Sequence, residues 1–101
     1  MNNQPPDIIA TITLFSTEAG GRRGPTPDGK FSCLMTIEGK NLDVRLNLES
    51  TGSISPGQMA RVPISFLDLE YAKQHCGVGK KFFLREVNVI GDGVIDEMCF
   101  R

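Results

Sequence analysis

Any chemistry in this chain has to come from a short set of side chains. There is one histidine, His75, followed directly by Cys76, and two further thiols, Cys33 and Cys99. A thiol and an imidazole act as nucleophile and base only when they share a hydrogen bond. Adjacent positions on a helix point their side chains apart, so this pair is not arranged for that work. Asp92, Asp96 and Glu97 lie together near the C-terminus. Asp92 and Asp96 share a strand parity and would stand on one face. Two carboxylates do acid–base work only in a cleft that shifts a pKa, and on an open strand face they are solvated charges. A zinc ion needs about four Cys, His or acidic ligands at short paired spacing. Three widely spaced cysteines and one histidine do not supply them. The expectation is therefore idle thiols in a reducing compartment, no enzymatic activity, no cofactor and no metal.

The second candidate chemistry is recognition. The stretch "FSTEAGGRRGPTPDGKF", Phe15 to Phe31, holds Gly20, Gly21, Arg22 and Arg23 in a row and then Pro25 and Pro27. The glycines open backbone conformations closed to other residues, and the prolines stiffen the second half of the loop. Arg22 and Arg23 have two readings here. One is an internal clip, bonded to loop carbonyls or paired with Glu18. The other is a surface for an anionic or protein partner. A smaller basic cluster, Lys80 and Lys81, and the pair Arg85 and Glu86 flank an apolar run further on.

These side chains need strands to hold them. Apolar residues alternate in Ile8, Ala10, Ile12 and Leu14, in Phe31, Cys33, Met35 and Ile37, and in Leu42, Val44, Leu46 and Leu48. The same period recurs in Ala60, Val62, Ile64 and Phe66, and in Phe82 and Leu84, before a last strand "VIGDGVIDEM". Period two marks a strand with one buried face. Pro63 lacks an N–H, so its strand is expected at an edge or with a bulge. Gly91 and Gly93 inside the last strand point to a bulge, a sharp corner or a close backbone approach. The one helical segment is "DLEYAKQHCG", with Asp68 as its start cap and Gly77 as its stop. "EGKN", Glu38 to Asn41, is turn chemistry.

The chain has 101 residues, with 40% hydrophobic and 23% charged side chains, a globular balance that fits one domain. Residues 1–6, polar and proline-rich, are expected to be a disordered tail, and 7–101 a single barrel. Eleven basic and twelve acidic side chains leave a net charge of -1. A strong non-specific nucleic-acid binder needs a large cationic surplus, which is missing. No N-terminal leader pattern is present, and no apolar run approaches the roughly 20 residues of a membrane helix. The expected place is the cytoplasm, away from membranes.

Four segments in order resemble a known domain: "EAGGRRGPT" (Glu18 to Thr26), "ISPGQMARVPISFL" (Ile54 to Leu67), "GKKFFLRE" (Gly79 to Glu86) and "VIGDGVI" (Val89 to Ile95). They are similar to the C-terminal, third domain of elongation factor Tu, and the likeness runs from about Asp7 to Met98. It implies an all-β, six-stranded antiparallel Greek-key barrel, here with one short helical turn. With no GxxxxGK[ST] sequence in the chain, a free-standing copy of a non-catalytic domain is expected. In the factor that domain packs on the GTPase domain, touches the T-stem of tRNA and offers surface to the exchange factor. The matching positions are Gly20, Gly21, Arg22, Arg85, Glu86, Gly91 and Gly93. Between Glu86 and Gly91 the family tends to read "REGGRTVG", and this chain reads "REVNVIG". That change removes cationic and close-approach positions of the kind that touch phosphate.

The resulting expectation is a binding module for another protein, linked to translation factors, with Gly20, Gly21, Arg22, Arg23, Lys80, Lys81, Arg85, Glu86, Gly91 and Gly93 as its partner-binding residues. The alternative is weak RNA or tRNA binding through the Gly-Gly-Arg-Arg loop and the Lys80, Lys81, Arg85 strand. A homo-oligomer is a further arrangement open to a barrel whose flat faces have no neighbour in the chain.

Overall fold

The structure is a computed structural model and describes residues 5–100. The first four residues of the expected tail, and Arg101, lie outside the described residues. Six strands form: β1 (Ile8–Leu14), β2 (Lys30–Ile37), β3 (Lys40–Asn47), β4 (Met59–Phe66), β5 (Lys81–Arg85) and β6 (Val89–Met98). They close into an antiparallel barrel in the order β1-β4-β3-β2-β5-β6, with β6 returning to β1. The hairpins β2-β3-β4 with β1 laid beside β4 are a Greek key.

The alternation becomes an inside and an outside. Ile8, Ala10, Ile12 and Leu14 are buried, as are Leu42, Val44, Leu46, Phe82 and Leu84, while Asp43, Arg45, Lys81, Phe83 and Arg85 face out. Ile12, Met35, Ile64 and Leu84 have no exposed surface at all. Each such side chain contributes about 1.5–3 kcal/mol through its removal from water. A six-stranded barrel has an interior only wide enough for these side chains, and they fill it.

Pro63 does not mark an edge. β4 is paired on both sides, and its register with β1 runs in unbroken steps from Ile8↔Ile64 to Thr13↔Met59, with Pro63 opposite Ile9. The β3–β4 register stops at Leu46↔Ile64, one residue before Pro63 is reached. The missing N–H therefore falls where that ladder has already ended. The bulges lie elsewhere, between Leu84 and Arg85 and between Ile9 and Ala10.

Gly91 and Gly93 are close approaches. A Cβ on Gly91 would sit 2.5 Å from the Thr13 carbonyl oxygen, and one on Gly93 would sit 2.4 Å from the tip of the Phe82 ring. The inward ring of Phe82 occupies the space that a side chain at position 93 would need.

The helix α1 (Leu69–Lys73) is shorter than the sequence suggests. Asp68 caps its start, its carboxylate accepting from the Tyr71 N–H at 3.1 Å. Gln74, not Gly77, is the C-cap. Among the described residues no helix is long and apolar enough to cross a membrane. The β2–β3 turn has two residues, Glu38 and Gly39, with φ of 52° and 74°. Both central residues in the left-handed region match the twist that a tight hairpin requires.

Candidate functional site

The Gly-Gly-Arg-Arg loop leaves β1 through a single 3-10 turn, Thr17–Ala19, capped by the Ser16 hydroxyl. Gly20 stops that turn at φ 91°. Gly21 then folds against Phe15, and its N–H donates to the Ser16 carbonyl at 2.9 Å. A Cβ at position 21 would lie 2.2 Å from the Phe15 oxygen, so the position is closed to side chains by contact. The two glycines do different jobs, one by backbone angle and one by space.

This fold-back aims Arg22 inward along the barrel end. Its Nε donates to the Gly24 carbonyl at 3.3 Å and its Nη2 to the Pro25 carbonyl at 3.4 Å. Nη1 pairs with Glu86 Oε1 at 2.8 Å, and the guanidinium lies 5.2 Å from the centre of the Phe31 ring. The acidic partner is Glu86, on the far side of the chain, in place of the expected Glu18. Deeper in the loop, the Thr26 N–H donates to the Ile54 carbonyl and its hydroxyl accepts from the Ile54 N–H, both at 2.9 Å. Thr26 is buried, so this reciprocal pair is shielded from water and ties the two long loops into one cover. Arg22 is therefore an internal clip, and the exposed Arg23 beside it makes no such contacts among the described residues.

A second set gathers at the opposite end of β5. Lys80 Nζ bonds Glu38 Oε2 at 2.8 Å and the His75 carbonyl at 3.0 Å. His75 Nδ1 stands 3.6 Å from Glu38 Oε1, and the Tyr71 ring packs on the imidazole edge-on at 4.9 Å. The hydrogen bond from Lys80 holds the Glu38 carboxyl below its usual range. The imidazole thus faces a carboxylate, not the neighbouring thiol.

Burial works against ionisation of the thiols. Burial pushes Cys33 up to about 12, with Glu86 adding to the effect and Arg22 opposing it. Burial likewise pushes Cys76 up to about 11, and Cys99 is raised in the same direction. A thiol that stays protonated at neutral pH lacks the reactive thiolate. Asp96 is also taken: it accepts from the Thr11 hydroxyl at 2.7 Å and lies 3.4 Å from Arg61, which also pairs with Glu97. Asp92 stands apart, opposite Phe83.

The ten residues singled out in the sequence do not form one surface. Arg85 and Glu86 stand with the clip loop, while Lys81 stands four residues back along β5, roughly 13 Å away, with Lys80 just before it. Gly91 is buried. Gly93 and Lys81 share a groove of about 440 Å³ on the barrel exterior, spanning β4, β1, β6, β5 and the β2–β3 turn. Its floor and walls come from Thr11, Thr13, Phe83, Val94 and Met59, with Glu38, Lys81 and Asp92 as its charges. Phe83 is 49% exposed and Met59 is 65% exposed, unusual for side chains of their size.

Sequence reasoning passed over Phe83, Met59 and Glu38. The outward parity of Phe83 beside Lys81 is a legible signal. The role of Glu38 is not, because its partner Lys80 lies 42 residues further along the chain. No family model and no curated protein matches this chain.

Proposed function

We propose that this protein is a non-catalytic binding module that acts through the outside of its barrel, with another protein as its partner. The observation that carries the reading is the filled interior: Ile8, Ile12, Met35, Ile64 and Leu84 occupy the space a substrate would need. Recognition then falls to the exterior strand faces and loops. The resemblance to the third domain of elongation factor Tu, carried by the loop Gly20 to Arg22 and the strand Lys81 to Glu86, directs the proposal to translation. The partner is a component of that machinery, or a protein that recognises the factor and meets a similar surface here.

The test is capture from cell lysate on immobilised protein, with a variant reversed at Arg23 and Arg85 as the control. Enrichment of a translation factor or of a factor-binding protein, lost in the control, supports the reading. Captured material without either class ends the link to translation.

RNA binding is the weaker reading. Two of its five cations are neutralised within the chain, Arg22 by Glu86 and Lys80 by Glu38. Arg23, Lys81 and Arg85 remain exposed. Gel shifts with tRNA at two salt concentrations decide it, since cationic contacts give an affinity that falls steeply with salt. No shift at low salt removes the RNA reading and leaves the protein partner.

A further inference from the structure

The outer groove carries one cation and one anion that form no ion pair among the described residues. Of the three charged residues lining it, Glu38 is held by Lys80 and His75. On the adjoining flank Arg61 is matched by Asp96 and Glu97. Lys81 and Asp92 make no ion pair among the described residues. They stand diagonally on the outer face, Lys81 opposite Val94 and Asp92 opposite Phe83, with the half-exposed Phe83 on the same strand as Lys81.

We propose that this groove is the contact face of a two-fold homodimer, in which Lys81 of each protomer pairs with Asp92 of the other around a centre formed by Phe83 and Val94, the other diagonal of the same four residues. The choice of a second copy follows from charge. A strongly acidic or basic partner would satisfy one of the two ions and repel the other. A two-fold contact brings the same patch to both sides, so a patch bearing one cation and one anion is complementary to itself. The apolar centre supplies the driving force and the unmatched ions fix the orientation. This goes beyond the binding role proposed above, whose control variant is reversed at Arg23 and Arg85, outside the groove.

The experiment is sedimentation equilibrium of the full chain over a concentration series, with the variants Lys81→Asp and Asp92→Lys. Both positions are exposed, and circular dichroism verifies that each variant is folded. The wild type is expected to shift from monomer to dimer with concentration. Each single reversal places two like-charged pairs across the contact and weakens dimerisation at least about tenfold. An equimolar mixture of the two variants restores it. In the mixed dimer the two substituted side chains pair with each other, and so do the two native ones, so both contacts again join opposite charges. A wild type that remains monomeric throughout overturns the proposal and leaves the groove to a different partner. Single reversals that dimerise like wild type, or a mixture that fails to recover, also overturn it.

Discussion

Arg22 and Glu86 are 64 residues apart in the chain and 2.8 Å apart in space. The same guanidinium bonds two carbonyls of its own loop and lies over Phe31. One side chain therefore joins a loop, a strand end and a core aromatic. Its contacts are unequal in weight. The ion pair is partly exposed at both ends and screened by water, so it contributes under about 1 kcal/mol. Carbonyl bonds from a charged donor and the ring contact contribute more.

Replacing Arg22 with Ala is therefore expected to lower stability by about 1–3 kcal/mol. In a domain of this size each kcal/mol moves the melting temperature by about 4–8 °C. Glu86→Ala removes only the pair and is expected to cost under about 1 kcal/mol. Denaturant unfolding of both variants separates the two contributions. Equal losses would mean that the carbonyl and ring contacts hold nothing.

Gly93 and Phe82 occupy one space. Gly93→Ala forces the Phe82 ring from its place and is expected to cost about 1–3 kcal/mol, the usual range for overpacking a core. Gly93→Ala combined with Phe82→Leu is expected to cost less than the two singles added, since the smaller side chain vacates the contested volume. A double-mutant cycle by urea unfolding measures the coupling. Additive losses would show that the ring is not what excludes a side chain at position 93.

Glu38 is the only described non-glycine residue with positive φ. A residue in that region costs roughly 1 kcal/mol or more. Its ion pair with Lys80 is exposed and contributes less. Strain outweighs the pair, so Glu38→Asn, which suits a left-handed turn position, is expected to raise stability by about 0.5–1 kcal/mol. Thermal unfolding checks the sign. A fall in stability would mean that the contact with Lys80 and His75 outweighs the backbone.

The same carboxylate gives a pH signature. Its folded value is held below the ordinary 4.5, mainly by the Lys80 hydrogen bond. The unfolded chain therefore binds more protons in acid, and stability rises with pH across that range. The contribution is complete above the unfolded value and is lost as the pH falls through the lowered folded one. Glu38→Gln should show a flatter acid limb in chemical unfolding, with the two curves meeting at low pH. Parallel limbs would remove Glu38 from the acid response.

Cys33 acts at the other end of the scale. Its thiol is raised from 9.0 to about 12 by burial. Between those values the unfolded chain has lost the proton and the folded chain keeps it, so stability falls as pH rises through that window. Cys33→Ala is expected to lessen the fall. In native protein at neutral pH, alkylation should reach the exposed Cys99 first and Cys33 last. Rapid native labelling of Cys33, read by mass spectrometry, would contradict its raised, partly buried thiol.

The barrel was legible because strand parity is local. Ile8 to Leu14, Leu42 to Leu48 and Phe82 to Leu84 announce one buried face each within a few residues, and six such faces in one small chain have few ways to hide together. The turn at Gly39 and the cap at Asp68 were legible for the same reason, since turn and cap chemistry act over three or four residues. The close packing implied by Gly91 and Gly93 was legible as one of three options. Which atoms closed in on them was not, because Thr13 and Phe82 arrive from other strands.

Tertiary structure alone decided the rest. That Pro63 lies within a doubly paired strand depends on where the β3–β4 ladder stops, a fact of register between separate segments. That Arg22 reaches Glu86 and not Glu18, and Lys80 reaches Glu38, depends on which strands the closing barrel brings together. The alternation of apolar residues sets which way a side chain points. Only closure of β6 onto β1 sets what it meets, because charges and rings find partners by distance in space and not by spacing along the chain.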